Sequence, residues 1–207
     1  MTGLFMDRDG VINENRAEYV TRLDQFQFLP GALDALADAA SYPFKIMVVT
    51  NQAAVGRGFM SREALDGIHR QMRDRVHAHG GRIDDIYVCP HRRDEGCACR
   101  KPRPGLLYRA AQEHKLDLER SYFIGDAVTD VLAALAAGCR PILVLSGLGR
   151  EARDKLTQLG VHRAAYEVAP DVRAAVRSVS QAEAVVRGDL HEWPGGDQLQ
   201  RLVTPVA

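Results

Sequence analysis

The sequence has no excess of charge of either sign: 27 Lys and Arg stand against 27 Asp and Glu. That balance removes the basic field with which a protein gathers nucleic acid or an anionic membrane surface, so neither is expected as a partner. Long apolar runs are missing too. The longest uninterrupted one, residues 131–137, falls far short of the ~20 residues of a membrane helix. A secretory leader is not expected, because Asp7, Arg8 and Asp9 arrive before its charged, apolar and small-residue regions could fit. Repeats and low-complexity segments are absent. Disorder, collagen and coiled coil do not describe a chain with 46% apolar and 26% charged residues. Cysteine is scarce as well, and three of the four fall within residues 89–99. A secreted disulfide framework spreads its cysteines around the fold, whereas this crowding suits a metal site in a reducing compartment. A cytoplasmic protein is expected.

What remains is 207 residues with enough apolar content for one sizeable core. Short apolar runs alternate with helical patterns, the mark of a doubly wound parallel sheet in a three-layer α/β/α domain. Strands are expected at residues 4–6, 45–50, 83–89, 121–124 and 141–145, with a weaker one at 165–168. Helices are expected at 31–40, from an N-cap at Ser61 to about 77, at 104–113, and at 128–137 ending on Gly138, with weaker ones at 151–159 and 170–179. A single domain is expected over residues 1–180. Residues 181–207, with Trp193 among several Gly and Pro, read as a tail.

Ligands of an open parallel sheet bind beyond the carboxyl ends of its strands. There the chain sets Asp7-Arg8-Asp9-Gly10 after the first strand, Thr50-Asn51-Gln52 after the second, and Gly125-Asp126 with Asp130 after a later one. Arg100-Lys101-Pro102 opens a helix between them. Each piece alone is ordinary: a solvated turn, a capping turn, a common strand end, a helix entry. Their joint occurrence at successive strand ends points to chemistry. Three carboxylates converging on one edge would repel and raise one another's pKa. A divalent cation relieves this, and oxygen-only ligands favour Mg²⁺. The hydroxyl, amide and cations nearby would suit a phosphate held against that metal.

These motifs, Asp7-x-Asp9-Gly10-Val11, Thr50-Asn51, Lys101 and Gly125-Asp126-x-x-x-Asp130, resemble the four motifs of the haloacid dehalogenase (HAD) superfamily of phosphatases over roughly residues 3–145. The resemblance implies phosphoryl transfer through an aspartyl-phosphate. Asp7 would be the nucleophile and a Mg²⁺ ligand. Asp9 would protonate the leaving alkoxide and then activate water, its backbone carbonyl also binding the metal. Thr50 and Lys101 would hold the phosphoryl oxygens. Asp126 would complete the Mg²⁺ site, and Asp130 would support it from behind.

Cys89-x-His91-x5-Cys97-x-Cys99 supplies four ligands of the kind tetrahedral Zn²⁺ takes, and with every position filled by protein the ion's role would be structural. The folded loop would present the adjoining Arg100 and Lys101 to substrate. This loop, with Asp-Arg-Asp-Gly-Val-Ile-Asn and Val-Thr-Asn-Gln, resembles the D-glycero-D-manno-heptose 1,7-bisphosphate phosphatases, which serve nucleotide-activated heptose synthesis, and the related histidinol-phosphatase branch. The resemblance implies a small phosphorylated sugar as substrate, a role for Arg100 in recognising it, and contacts from Asn15 to Tyr19 and from Thr50 to Ala53, Asn51 and Gln52 included. Some relatives carry Lys after the fourth-motif Asp, where this chain has Ala127. Histidinol phosphate or another small sugar phosphate is the alternative substrate. A phospho-accepting receiver module is the reading from another class; it would need neither Asp9 beside Asp7 nor a metal loop delivering cations. No gap between the motifs holds a large cap domain. Arg57, between Gly56 and Gly58, could meet a phosphate oxygen. His69, His77 and His79 are expected on a solvated face, Cys139 is expected to be buried, and the chain is expected to act as a monomer.

Overall fold

A computed structural model describes residues 1–186 and Gly188. Of the expected tail, residues 181–186 are instead the end of the last helix, and the rest, with Trp193, lies outside the described residues apart from Gly188. Six parallel strands form one sheet in the order β3-β2-β1-β4-β5-β6. They are β1 (Thr2–Met6), β2 (Lys45–Asn51), β3 (Asp85–Cys89), β4 (Asp117–Gly125), β5 (Arg140–Val144) and β6 (Glu167–Ala169). The helices are α1 (Ala32–Ala40), α2 (Ala53–Gly56), α3 (Arg62–Ala78), α4 (Gly105–His114), α5 (Val128–Ala137), α6 (Gly149–Gln158) and α7 (Val172–Val186).

The central strands read as continuous apolar runs because both faces are covered, and the pleat then sorts their residues by parity. Leu4, Met6, Ile46, Val48, Tyr122 and Ile124 pack with residues of α1, α3 and α7. Phe5, Met47, Val49 and Phe123 point the other way, into a cluster with α4 and α5. Leu143 on that same side meets Ala152 and Leu156 of α6. The expected three layers are therefore present. Chain order runs outward from β1 to β3, then returns to β4 beside β1 and runs outward again. The switch in direction lies between β1 and β4, which places the opening for a ligand at the ends of those two strands.

Several boundaries differ from expectation, each for a local reason. β4 begins at Asp117 rather than 121, because Asp117, Glu119 and Arg120 of its first half are exposed and carry no apolar signal. Its register with β1 shifts between Thr2 and Leu4. α7 continues to Val186 on an apolar face that includes Val172, Val176 and Val179. α2 is a single turn too short to show periodicity. Ser61 caps α3 as expected, accepting from the Ala64 amide at 3.1 Å. Among the described residues the longest connecting segments, 7–31 and 90–104, carry a 3-10 turn each (Leu23–Gln25, Arg93–Glu95) and no further domain. No helix there is long and apolar enough to cross a membrane.

Candidate active site

Where β1 ends, the Asp7 amide still donates to the Ile124 carbonyl of β4 at 2.9 Å, so Asp7 stands in the crevice at the switch point. The chain then turns sharply. The Ile12 and Asn13 amides both donate to the Arg8 carbonyl, at 2.8 and 3.0 Å, and Gly10 takes a φ of +87°. Only glycine suits this position on two counts. The conformation is left-handed, and a Cβ would lie 2.0 Å from Asp126 Oδ2. Asp126, just past β4, is fixed from the other side by the Leu148 amide, which donates to its Oδ2 at 2.8 Å.

Lys101 reaches the same place from the segment before α4. It is 3% exposed, and its Nζ lies 3.0 Å from Asp7 Oδ1, 2.7 Å from Asp130 Oδ1 and 2.8 Å from the Val49 carbonyl. Asp130, in the first turn of α5, also accepts from the Ala127 amide at 3.0 Å. The structure therefore brings together Asp7, Asp126, Asp130 and Lys101, with one carboxylate oxygen of each Asp within 4.8 Å of the others.

One ammonium does not balance three carboxylates. Desolvation, with Lys101 opposing and Asp130 and Asp9 adding to it, pushes the Asp7 carboxyl up to about 7. Desolvation and the charges of Asp130 and Asp7 push Asp126 up to about 8. Lys101 moves the other way: burial alone would lower it, but the charges of Asp130 and Asp7 outweigh this and raise its pKa. A group of oxygen ligands left with excess negative charge, under backbone that leaves no room for a Cβ at Gly10 or Gly147, fits a small hard cation such as Mg²⁺.

Asp9 is not part of that cluster. Its carboxylate accepts twice from Arg8 Nη2, at 2.7 and 2.9 Å, once from Asn13 Nδ2 at 2.9 Å and once from Gln52 Nε2 at 2.8 Å. Burial works to raise its pKa, but the Arg8 charge and these donors prevail and lower it. Gln52 Nε2 also lies 2.8 Å from Thr50 Oγ1, so one amide ties Thr50 to Asp9. Asn51 faces the other way and holds the backbone of Lys101.

The four ligand atoms of Cys89, His91, Cys97 and Cys99 lie within 4.8 Å of one another. Sulfur–sulfur separations are 3.6 Å (Cys89–Cys97) and 3.5 Å (Cys97–Cys99), and His91 Nδ1 lies 3.6 and 3.2 Å from the Cys89 and Cys99 sulfurs. A tetrahedron with bonds of about 2.3 Å to sulfur and about 2.0 Å to nitrogen has edges of about 3.5–3.8 Å, so the set fits Zn²⁺. The loop is joined to the catalytic edge: Arg100 Nη1 donates to the His91 carbonyl at 3.0 Å, and the Gln52 amide to the Cys89 carbonyl at 2.7 Å. Arg57 is exposed at the end of α2 and makes no polar contact with these residues among those described.

One expectation is corrected. His69 is not on a solvated face: it is 6% exposed, and its Nε2 lies 3.2 Å from Arg8 Nη1. It shares the buried stripe of Leu65, Ile68, Met72 and Val76, a helical spacing that its arginine neighbours obscured. Arg8 itself, wholly buried, and Asn13 were not singled out. His79 is half-exposed and pairs with Asp34, and Cys139 is buried as expected.

Comparison with known proteins agrees with this geometry. A HAD-hydrolase-like family model matches residues 98–175. The chain is 40% identical over 152 residues to the D-glycero-beta-D-manno-heptose-1,7-bisphosphate 7-phosphatase of Pseudomonas putida, covering 73% of this chain and 87% of that one. It is 38% identical over 146 residues to the enzyme of the same name from Pseudomonas aeruginosa, covering 70% and 82%. Among solved structures it is similar to the D,D-heptose 1,7-bisphosphate phosphatase of Bordetella bronchiseptica complexed with magnesium and phosphate. There the TM-score is 0.82 at 36% identity, over 88% of this chain and 99% of that one.

Proposed function

The chain belongs to the HAD-like phosphatases, in the group of the D-glycero-beta-D-manno-heptose-1,7-bisphosphate 7-phosphatases, and on that footing we infer that it removes the 7-phosphate of this heptose bisphosphate. The observation that carries the reading is the meeting of Asp7, Asp126, Asp130 and Lys101 at the β1/β4 switch point, a site for a metal and a phosphoryl group together.

Asp7, Asp126 and the Asp9 backbone carbonyl would hold Mg²⁺, which supplies positive charge against the phosphoryl oxygens. A carboxylate oxygen of Asp7 attacks phosphorus, and the bond from phosphorus to the sugar oxygen breaks. The leaving alkoxide takes the Asp9 proton. Arriving phosphate charge raises the Asp9 pKa toward the acid form that this step needs. In the second half water attacks the same phosphorus, Asp9 takes its proton, phosphate leaves and the Asp7 carboxylate is restored. Lys101 and Thr50 steady the equatorial oxygens, where charge accumulates. Asn51 and Gln52 act by holding Lys101, Thr50 and Asp9 in place, and their hydrogen bonds support that role. Arg100 and Arg57 would meet the sugar's second phosphate. The thiolate-rich Zn²⁺ loop supports a reducing, cytoplasmic setting.

Phosphate release from both anomers of heptose 1,7-bisphosphate and from histidinol phosphate, with Mg²⁺ and with EDTA, tests the reading. Fastest Mg²⁺-dependent release from the beta bisphosphate is expected, and none from folded Asp7→Asn. Preference for histidinol phosphate would overturn the substrate, and substantial turnover by Asp7→Asn would overturn the nucleophile.

A further inference from the structure

Arg8 is the one fully buried guanidinium among the described residues, and its surroundings assign it a direction. Nη2 spans both oxygens of Asp9, at 2.7 and 2.9 Å, and Nη1 lies 3.2 Å from His69 Nε2. The Phe26 ring lies beneath it, 6.0 Å from Cζ, and Nε has no partner. A guanidinium has only donors, so His69 Nε2 must accept, which makes the imidazole neutral with its proton on Nδ1. Burial first, and then the Arg8 charge, hold the His69 pKa down to about 3, in keeping with that form. A buried guanidinium with so few partners is aimed by whatever acceptors it has. His69, on a helix that contributes nothing else to the site, is the acceptor that turns the fork toward Asp9.

We propose that His69 is a positioning residue for the reaction: acting through Arg8, it sets where the Asp9 carboxylate rests and from where it delivers and recovers its proton. The inference depends on Asp9 being the acid and base of the proposed mechanism. Removing the acceptor leaves Arg8 Nη1 unpaired in a buried place, the guanidinium turns, and Asp9 loses the donor that spans both its oxygens. Binding of the phosphate, through Lys101 and Thr50, is untouched.

The test uses His69→Leu, which keeps bulk without an acceptor, and His69→Gln, whose amide sits where Nε2 does. With heptose bisphosphate, His69→Leu is expected to lose ~10-fold or more in kcat at little change in KM, and His69→Gln to recover most of it. p-Nitrophenyl phosphate separates the half-reactions, because nitrophenolate leaves without a proton while water still needs a base. His69→Leu should therefore give a normal burst of about one nitrophenolate per enzyme followed by slow turnover. Burst and steady state falling together would mean that His69 only supports the fold, and wild-type behaviour of a folded His69→Leu would also overturn the proposal. Should His69→Leu not fold, His69→Asn, whose amide stops at the Nδ1 position short of Arg8, takes its place with the same outcomes. Asp9→Asn is the control: unimpaired turnover there would refute the role of Asp9, whereas an inactive Asp9→Asn beside an unaffected His69→Leu refutes only this inference.

Discussion

Asn51 and Lys101 are joined by two hydrogen bonds running in opposite directions. The Lys101 amide donates to Asn51 Oδ1 at 3.2 Å, and Asn51 Nδ2 donates to the Lys101 carbonyl at 3.3 Å. A side chain at the end of a strand thus does for the Lys101 backbone what a neighbouring strand would do. This fixes the base of the Lys101 side chain some fifty residues away in sequence, so that its Nζ meets Asp7 and Asp130 rather than solvent.

Asn51→Ala is therefore expected to act on rate through Lys101. Both bonds disappear at once, the Lys101 backbone loosens, and charge on the phosphoryl oxygens is less well met in the transition state. A fall of ~10- to 100-fold in kcat is expected, smaller than the loss from Lys101→Ala, in the range that removing one preorganised donor causes. Steady-state kinetics of the two single variants and the double variant decide it. If Asn51 works through Lys101, the double variant is no slower than Lys101→Ala.

The carboxylate cluster gives the metal-free protein a pH dependence whose sign is fixed. Asp7 and Asp126 titrate as parts of one coupled group, with folded-state values of about 7 and about 8 against 3.8 for the free side chain. A raised acid binds its proton more tightly in the folded state. The stability it provides is complete below about pH 4 and is lost as pH rises through 7 and 8. Asp9, whose pKa is lowered, contributes in the opposite sense, but its contribution is already complete above 3.8 and does not change across this window. In EDTA, the melting temperature should fall between pH 5 and pH 8. Mg²⁺, which favours the ionised carboxylates, should raise it more at pH 8 than at pH 5. A melting temperature independent of pH in EDTA would contradict this account.

Much of this site was legible in the sequence because its residue types break a pattern at marked places. Asp7, Thr50 and Asp126 each stand where a buried apolar strand stops, and a polar group there has little to do but face the crevice. Cys89, His91, Cys97 and Cys99 declare themselves by spacing. Arg8 did not, since an arginine between two aspartates has the look of a solvated turn, and only burial distinguishes the two. His69 was hidden by the charged residues beside it on α3, although the interval from Leu65 and to Met72 puts it on the inner stripe. The first half of β4 was missed for the reverse reason: Glu119 and Arg120 are exposed on a strand that pairs with β1 through Asp117 alone before the register shifts. Arg100 shows a further limit, because sequence gives its place beside Lys101 but not its bond to the His91 carbonyl.

The Cys/His loop should bind one Zn²⁺ per chain, detectable by metal analysis of the purified protein. Cys97→Ser removes one thiolate from a set whose four ligand atoms lie within 4.8 Å of one another. Binding free energy at such a site is also folding free energy, so zinc content and melting temperature should fall together. Activity should fall with them, because the His91 carbonyl that holds Arg100 and the Cys89 carbonyl that holds the Gln52 amide belong to this loop. A Cys97→Ser protein that melts like the wild type and keeps full activity would remove the structural role from the metal.

Gly10→Ala gives the sharpest test of how tightly the turn and the metal site share space. The backbone there, at φ +87°, costs a residue with a Cβ on the order of 1–3 kcal/mol. The methyl would also fall 2.0 Å from Asp126 Oδ2 and 2.5 Å from its Cγ. Asp126 cannot yield easily, since the Leu148 amide holds the same oxygen at 2.8 Å. The Gly10 carbonyl is likewise fixed by Ser146 Oγ at 2.7 Å. The carboxylate must therefore rotate or the turn must open, and either movement separates Asp126 from Asp7. Gly10→Ala should lower the melting temperature and, in protein that remains folded, weaken the dependence of turnover on Mg²⁺ by raising the concentration needed for half-maximal rate at least ~10-fold. Thermal melts and Mg²⁺ titrations of phosphate release check both. A variant that is destabilised yet saturates at the wild-type Mg²⁺ concentration would show that the turn absorbs the methyl without moving Asp126.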